Sequence, residues 1–145
     1  MLLAFASDHA GYNLKETLKK VAIELGHEIK DYGTDSNESV DYPDFIKLAA
    51  IAVSKKEADK AIVVCGSGIG ASMVANKVSG IRCALCTNIM TAKYSRLHND
   101  ANVFAIGERI VNECDAVAML KTWLTTEFEG GRHKRRVDKI HELEK

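Results

Sequence analysis

The chain has 145 residues, 46% of them apolar and 28% charged, with 20 basic side chains balanced by 20 acidic ones. That length can bury one substantial core, and the ordinary composition excludes a disordered or collagen-like chain. Zero net charge removes the usual footprint of a nucleic-acid or membrane-surface binder, and no apolar run approaches the ~20 residues that span a bilayer.

Met1 to Ala6 meets Asp8 and His9 before a signal-peptide core develops. The expectation is one cytoplasmic domain over residues 1–145, with neither a membrane nor a nucleic acid as partner. Leu2 to Ala6 has the size of a buried strand. Leu14, Leu18, Val21, Ala22 and Leu25 then recur at helical spacing until Gly26 ends the run. His27 to Tyr32 reads as a weaker strand, and Pro43 suits the first turn of a helix reaching about Lys55.

Ala61 to Cys65 is a strong buried strand that breaks into Gly66-Ser67-Gly68-Ile69-Gly70. A helix from about Ala71 to Lys77 and a strand from Ile81 to Cys86 follow. Asn88 can cap a helix ending near His98 and Asn99, and Val103 to Ile106 is the fifth strand. Ile110, Cys114, Val117, Leu120 and Leu124 mark a long amphipathic helix. Gly130-Gly131 separates it from a last helix with Val137, Ile140 and Leu143, which packs on its own domain or reaches across a dimer.

Strands alternating with helices five times over predict an α/β chain whose parallel sheet is covered on both faces. Ligands of such sheets sit beyond the carboxyl ends of the strands. That rule singles out Ser7 to Gly11, Cys65 to Gly70, Thr87-Asn88 and the stretch after Ile106.

Gly66 to Ala71 follows a strand and opens a helix, a context in which backbone N–H groups hold an anion. The motif also fits a dinucleotide fingerprint, which needs an acidic residue about 20 positions on. No Asp or Glu stands between Lys60 and Asn99, so a nicotinamide cofactor is disfavoured. Cys65 sits immediately before this loop, where the helix N-terminus favours a thiolate. It suits a nucleophile or a general base; a buried inert thiol is the alternative.

The remaining cysteines, Cys83, Cys86 and Cys114, read as reduced thiols. Cys83 and Cys86 form a C-x-x-C, but within a strand residues three apart face opposite sides. Asp8 and His9 close the first strand, where they can address a polyol or a phosphate. His98 and Asn99 stand past a helix end as a candidate acid and an amide donor. Arg132 and Arg136, four apart, project from one helix face and suit phosphate, although a solvated basic face is the plain alternative. His27, His133 and His141 are assigned to the surface.

Taken together these residues resemble the type B ribose-5-phosphate isomerases, grouped with the galactose-6-phosphate isomerase subunits and the allose-6-phosphate isomerases. The resemblance runs through Ser7-Asp8-His9-Ala10-Gly11, Asp41-Tyr42-Pro43, Cys65 to Gly70, Ala75-Asn76-Lys77, His98 to Asn102, Gly107-Glu108-Arg109 and Glu129 to His133. It implies a three-layer α/β/α Rossmann-type domain with a five-stranded parallel sheet and a C-terminal helix. Such domains form homodimers, or tetramers of them, with the sugar-phosphate site shared between subunits and neither metal nor organic cofactor.

By the same resemblance Cys65 is the base, Ser67 assists exchange between the two oxygens, and His98 assists ring opening. The amides of Gly66, Gly68, Ile69 and Gly70, with Asn99, stabilise the enediolate. Asp8 holds sugar hydroxyls, while His9, Arg132 and Arg136 take the phosphate; Arg109 and Tyr42 line the site. Some relatives use a glutamate further along the following helix. Met73 and Val74 stand in that region here, leaving Cys65 as the base.

Overall fold

The apolar run Leu2–Ser7 forms β1 in the computed structural model, which describes residues 1–144. A 3-10 turn over His9–Gly11 leads into α1, Tyr12–Glu24. β2 (Glu28–Asp31) and α2 (Tyr42–Ser54) follow, with Pro43 in the first turn, where its missing N–H breaks no helical bond. β3 (Lys60–Cys65), α3 (Ile69–Asn76), β4 (Cys83–Leu85) and α4 (Ile89–Leu97) form the middle of the chain. β5 (Val103–Gly107), α5 (Glu113–Thr125) and α6 (Arg132–Glu142) complete it. β4 is shorter than the predicted Ile81–Cys86, because only Cys83, Ala84 and Leu85 find partners on β5. Ile110 lies before α5 and stays exposed, outside the amphipathic stripe predicted for it.

The five strands are parallel, in the order β2-β1-β3-β5-β4. Their alternation sorts the core into two layers. Leu3, Phe5, Ile62, Phe104 and Ile106 point to the face covered by α1, α4 and α5, where Met119, Leu120 and Trp123 meet them. Ala4, Ala6, Ala61 and Ala105 point to the other face, under Ala49 and Ala50 of α2 and Ala71 and Ala75 of α3. Small residues on both sides let α2 and α3 lie close to the sheet. The bulky face supplies more burial per residue, about 2 kcal/mol for each large apolar side chain.

Side-chain amides finish the backbone pairing at β4. Asn76 donates to the carbonyl of Cys83 (3.0 Å) and accepts its N–H (2.8 Å). Asn102 accepts from Arg82 N–H (2.7 Å) and donates to the Gly80 carbonyl (2.9 Å). An edge strand whose polar groups are engaged in this way offers less of a template for pairing with another chain. No helix among the described residues is long and apolar enough to cross a membrane.

The opposite edge is held by charge. Lys15 is fully buried and donates to both carboxylate oxygens of Asp31 (2.7 and 2.8 Å) and to the Thr34 carbonyl (2.6 Å). Lys19 also reaches Asp31, at 2.7 Å. Burial opposes the charge on Asp31, but the hydrogen bonds from Lys15, Lys19 and the Gly33 N–H outweigh it and hold the carboxyl below its ordinary 3.8. A depressed folded-state value means stability that is present above pH 3.8 and is lost as the pH falls through the lower, folded value. Asp31→Asn leaves Lys15 buried without its counter-charge and should cost about 3 kcal/mol at neutral pH. In urea titrations the gap to the natural chain should narrow as the pH drops below 3.8; a gap independent of pH would refute the assignment.

Candidate active site

β1 lies between β2 and β3, so the chain leaves it in one direction and enters β3 on its other side. The crevice this creates is where a doubly wound sheet binds its ligands. A cleft of about 600 Å³ opens there, walled by Asp8, His9, Ala10, Tyr42, Cys65, Gly66, Ser67, Ile69, Gly70, Met73, Arg109 and Ile110. Three of the four stretches nominated from the sequence contribute. Thr87-Asn88 does not, because β4 lies at the far edge of the sheet.

Close backbone contacts shape the β3–α3 loop. A Cβ on Gly107 would lie 2.4 Å from the carbonyl carbon of Ser67, and one on Gly70 would lie 2.6 Å from the Tyr42 ring. Gly68 has φ +80° at the N-cap of α3 and abuts Leu85 and the Ile106 backbone, so both conformation and space require glycine.

The loop folds back on the thiol that precedes it. Cys65 is 5% exposed, and its Sγ accepts the Gly68 N–H at 3.1 Å. With the positive end of α3 beside it, the sulfur faces partial positive charge. Ser67 Oγ accepts the Ile69 N–H (3.2 Å), which leaves its own O–H to donate. Arg109 donates its backbone N–H to the Gly66 carbonyl (3.0 Å), and its guanidinium lies over Gly66. Asp8 is buried and caps the Gly11 N–H with Oδ1 (3.1 Å). His9 Nδ1 accepts the Val40 N–H (3.1 Å), which places the ring proton on Nε2 as a donor.

His98, Asn99, Arg132 and Arg136 are not in this cleft. Topology explains why. Cys65 ends β3 at the carboxyl edge of the sheet, whereas His98 follows α4, which carries the chain back toward the amino edge. A nine-residue helix covers about 13 Å along its axis. At that other edge, the Glu129 N–H donates to the Leu97 carbonyl, which brings the start of α6 to His98. Arg132 and Arg136 are both exposed on α6. One chain therefore presents the predicted residues as two separate sets.

His133 corrects its assignment to the surface: it is 7% exposed and stacks on His98, with ring centroids 4.1 Å apart and planes 10° from parallel. Burial, then His98 and Arg132 beside it, lower its tendency to protonate. Helical spacing held the clue, since His133 and Val137 are four apart and form the buried face of α6. His98, Glu129 and His133 bring ligand atoms within 4.8 Å of one another. An ion cannot lie in the planes of two parallel rings at once, so this geometry does not suit a chelate.

Cys83 packs with the α2–α3 face and Cys86 with the opposite one. Burial raises both thiols, Cys86 to about 12 and Cys83 further. A redox pair is thereby disfavoured.

Known proteins share this sequence and fold along nearly all of the chain. A sequence profile of the family Ribose/Galactose Isomerase matches residues 3–140. Ribose-5-phosphate isomerase B of Escherichia coli (strain K12) is 42% identical over 142 residues, covering 98% of this chain and 95% of that one. The structure of Clostridium thermocellum ribose-5-phosphate isomerase B superposes with a TM-score of 0.98 at 52% identity, covering 99% of this chain and 97% of that one. Ribose-5-phosphate isomerase B from Mycoplasma genitalium with bound ribulose-5-phosphate gives 0.95 at 37% identity, over 99% and 95%. Sequence and fold are those of an aldose–ketose isomerase. The chain belongs to the ribose/galactose isomerase family.

The four thiols should separate by environment. Brief alkylation of the folded protein at pH 8, read by peptide mass spectrometry, should label exposed Cys114 and spare Cys83 and Cys86. Rapid labelling of the last two would contradict their placement.

Proposed function

We propose that the protein interconverts ribose 5-phosphate and ribulose 5-phosphate through a cis-enediolate. The observation that carries this reading is Cys65, which lines the cleft as a candidate carbon base and accepts the Gly68 N–H of the glycine-rich loop. The names and bound ligand of its relatives support the pentose.

Cys65, as thiolate, takes the proton from C2 of the open-chain aldose. The C–H electron pair becomes the C1=C2 double bond, and the carbonyl pair moves onto O1. The N–H groups of the Gly66–Gly70 loop that Cys65 and Ser67 leave unengaged are offered to that charge, which preorganised donors stabilise most strongly in a water-poor site. Ser67, whose hydroxyl proton is free to donate, passes a proton from O2 to O1. The electrons of the new O2 anion return to form the C2 carbonyl, and Cys65 gives its proton to C1. No electron leaves the sugar and no co-reactant is consumed.

Phosphate binding and ring opening need the second set of residues, which a second copy of the chain supplies. His98 exchanges protons with the anomeric hydroxyl and the ring oxygen, and Asn99 adds a donor to the enediolate. Arg132 and Arg136 join His9, whose Nε2–H already points outward as a donor, on the phosphate. Exposed apolar side chains favour such a union: Ile69 and Met73 on α3, and Ile89, Met90 and Tyr94 on α4, flank the edge strand β4. The minimal unit is a homodimer with two shared sites.

Purified protein should convert ribose 5-phosphate to ribulose 5-phosphate in a coupled assay, faster than it converts allose 6-phosphate. Cys65→Ala should reduce kcat by about a thousandfold or more, whereas Arg136→Ala should act mainly by raising KM. Undiminished turnover by Cys65→Ala would end this mechanism. Co-refolding Cys65→Ala with His98→Asn should restore about a quarter of the natural activity, because half the dimers are mixed and each keeps one intact site. No recovery from efficiently refolded mixtures would place the whole site within one chain.

A further inference from the structure

His98 is held more tightly than a helix-end residue needs to be. Its ring packs between Tyr94, with centroids 4.9 Å apart, and His133, at 4.1 Å and nearly parallel. Glu129 Oε2 lies 3.7 Å from His98 Nε2. The Glu129 N–H is bonded to the Leu97 carbonyl (3.0 Å), so the carboxylate belongs to a segment fastened to the last turn of α4. His133 is buried, and its Nε2 makes no hydrogen bond among the described residues.

We infer that Glu129 and His133 are positioning residues for His98, the carboxylate biasing the imidazole proton onto Nε2 and the stacked ring fixing the imidazole plane. A carboxylate beside one imidazole nitrogen favours the tautomer protonated there and leaves the other nitrogen as the lone pair. Stacking on a flat neighbour removes rotation about χ2, the freedom a proton shuttle must lose before it can address two oxygens in turn. His98 then takes the anomeric hydroxyl proton at Nδ1 and returns one to the ring oxygen as the C1–O bond breaks. In this role Glu129 and His133 act through His98 and not on the sugar. The inference rests on the proposed role of His98 in ring opening.

Ring opening and carbon deprotonation can be read separately. Ribulose 5-phosphate has its C5 oxygen esterified and cannot close a furanose, so loss of its C1 proton to Cys65 needs no ring opening. Solvent deuterium uptake at C1 of ribulose 5-phosphate, followed by proton NMR, therefore reports on binding and carbon deprotonation without ring opening. Turnover of ribose 5-phosphate reports on both steps.

Glu129→Gln and His133→Ala should each slow ribose 5-phosphate turnover about tenfold, with deuterium uptake within about twofold of the natural protein. His133→Phe, which keeps a flat ring, should recover most of the loss of His133→Ala. Nitrogen NMR should find the His98 proton on Nε2 in the natural protein and a mixture of tautomers in Glu129→Gln. Thermal unfolding would confirm that each variant is folded. Turnover unchanged in both variants would overturn the inference, as would a parallel loss of turnover and deuterium uptake. If the natural protein itself neither turns over ribose 5-phosphate nor exchanges ribulose 5-phosphate, the proposed function fails instead.

Discussion

The β3–α3 loop depends on a contact between two backbones. Gly107 at the end of β5 presses against the main chain of Ser67, while Gly68 lies against Ile106 and Leu85. No side chain fits between them, and this is what folds the β3–α3 loop over its own strand. The Gly68 N–H then meets Cys65 Sγ at the N-terminus of α3. A thiol at the end of a buried strand would otherwise be one more apolar core residue.

A parallel sheet imposes a second constraint. Every strand points the same way, so every helix returns the chain to the opposite edge. Residues at strand ends and residues at helix ends are separated by the depth of the sheet. Cys65, Asp8 and His9 are of the first kind; His98 and Asn99 are of the second. The proposed chemistry uses both kinds, and for that reason the proposal invokes a second copy of the chain. The exposed apolar residues beside β4 are where a second copy would bury surface.

Charge is placed with the same economy. Lys15, Lys19 and Asp31 form an ion-paired cluster that ties α1 to the chain leaving β2, and the Thr34 carbonyl completes it. That segment continues to Val40, whose N–H sets the tautomer of His9. Elsewhere Glu129 Oε2 lies 3.7 Å from His98 Nε2 and His133 stacks on the His98 ring. Neither environment was apparent in the sequence. Lys15 looks like any polar position of an amphipathic helix, and His133 looks like one more member of a basic run.

Much was nevertheless present in the sequence. Short apolar runs and 3.6-residue periodicity are local properties, and they located all five strands and six helices to within a few residues. The Gly66–Gly70 loop after a strand and the i, i+4 pair Arg132 and Arg136 could also be read directly, because each signal lies within a few positions. Three things waited for the tertiary structure: the strand order, the burial of Lys15 and His133, and the amides Asn76 and Asn102 as partners of the β4 region. Each depends on which distant segments come together, and local spacing carries no record of that.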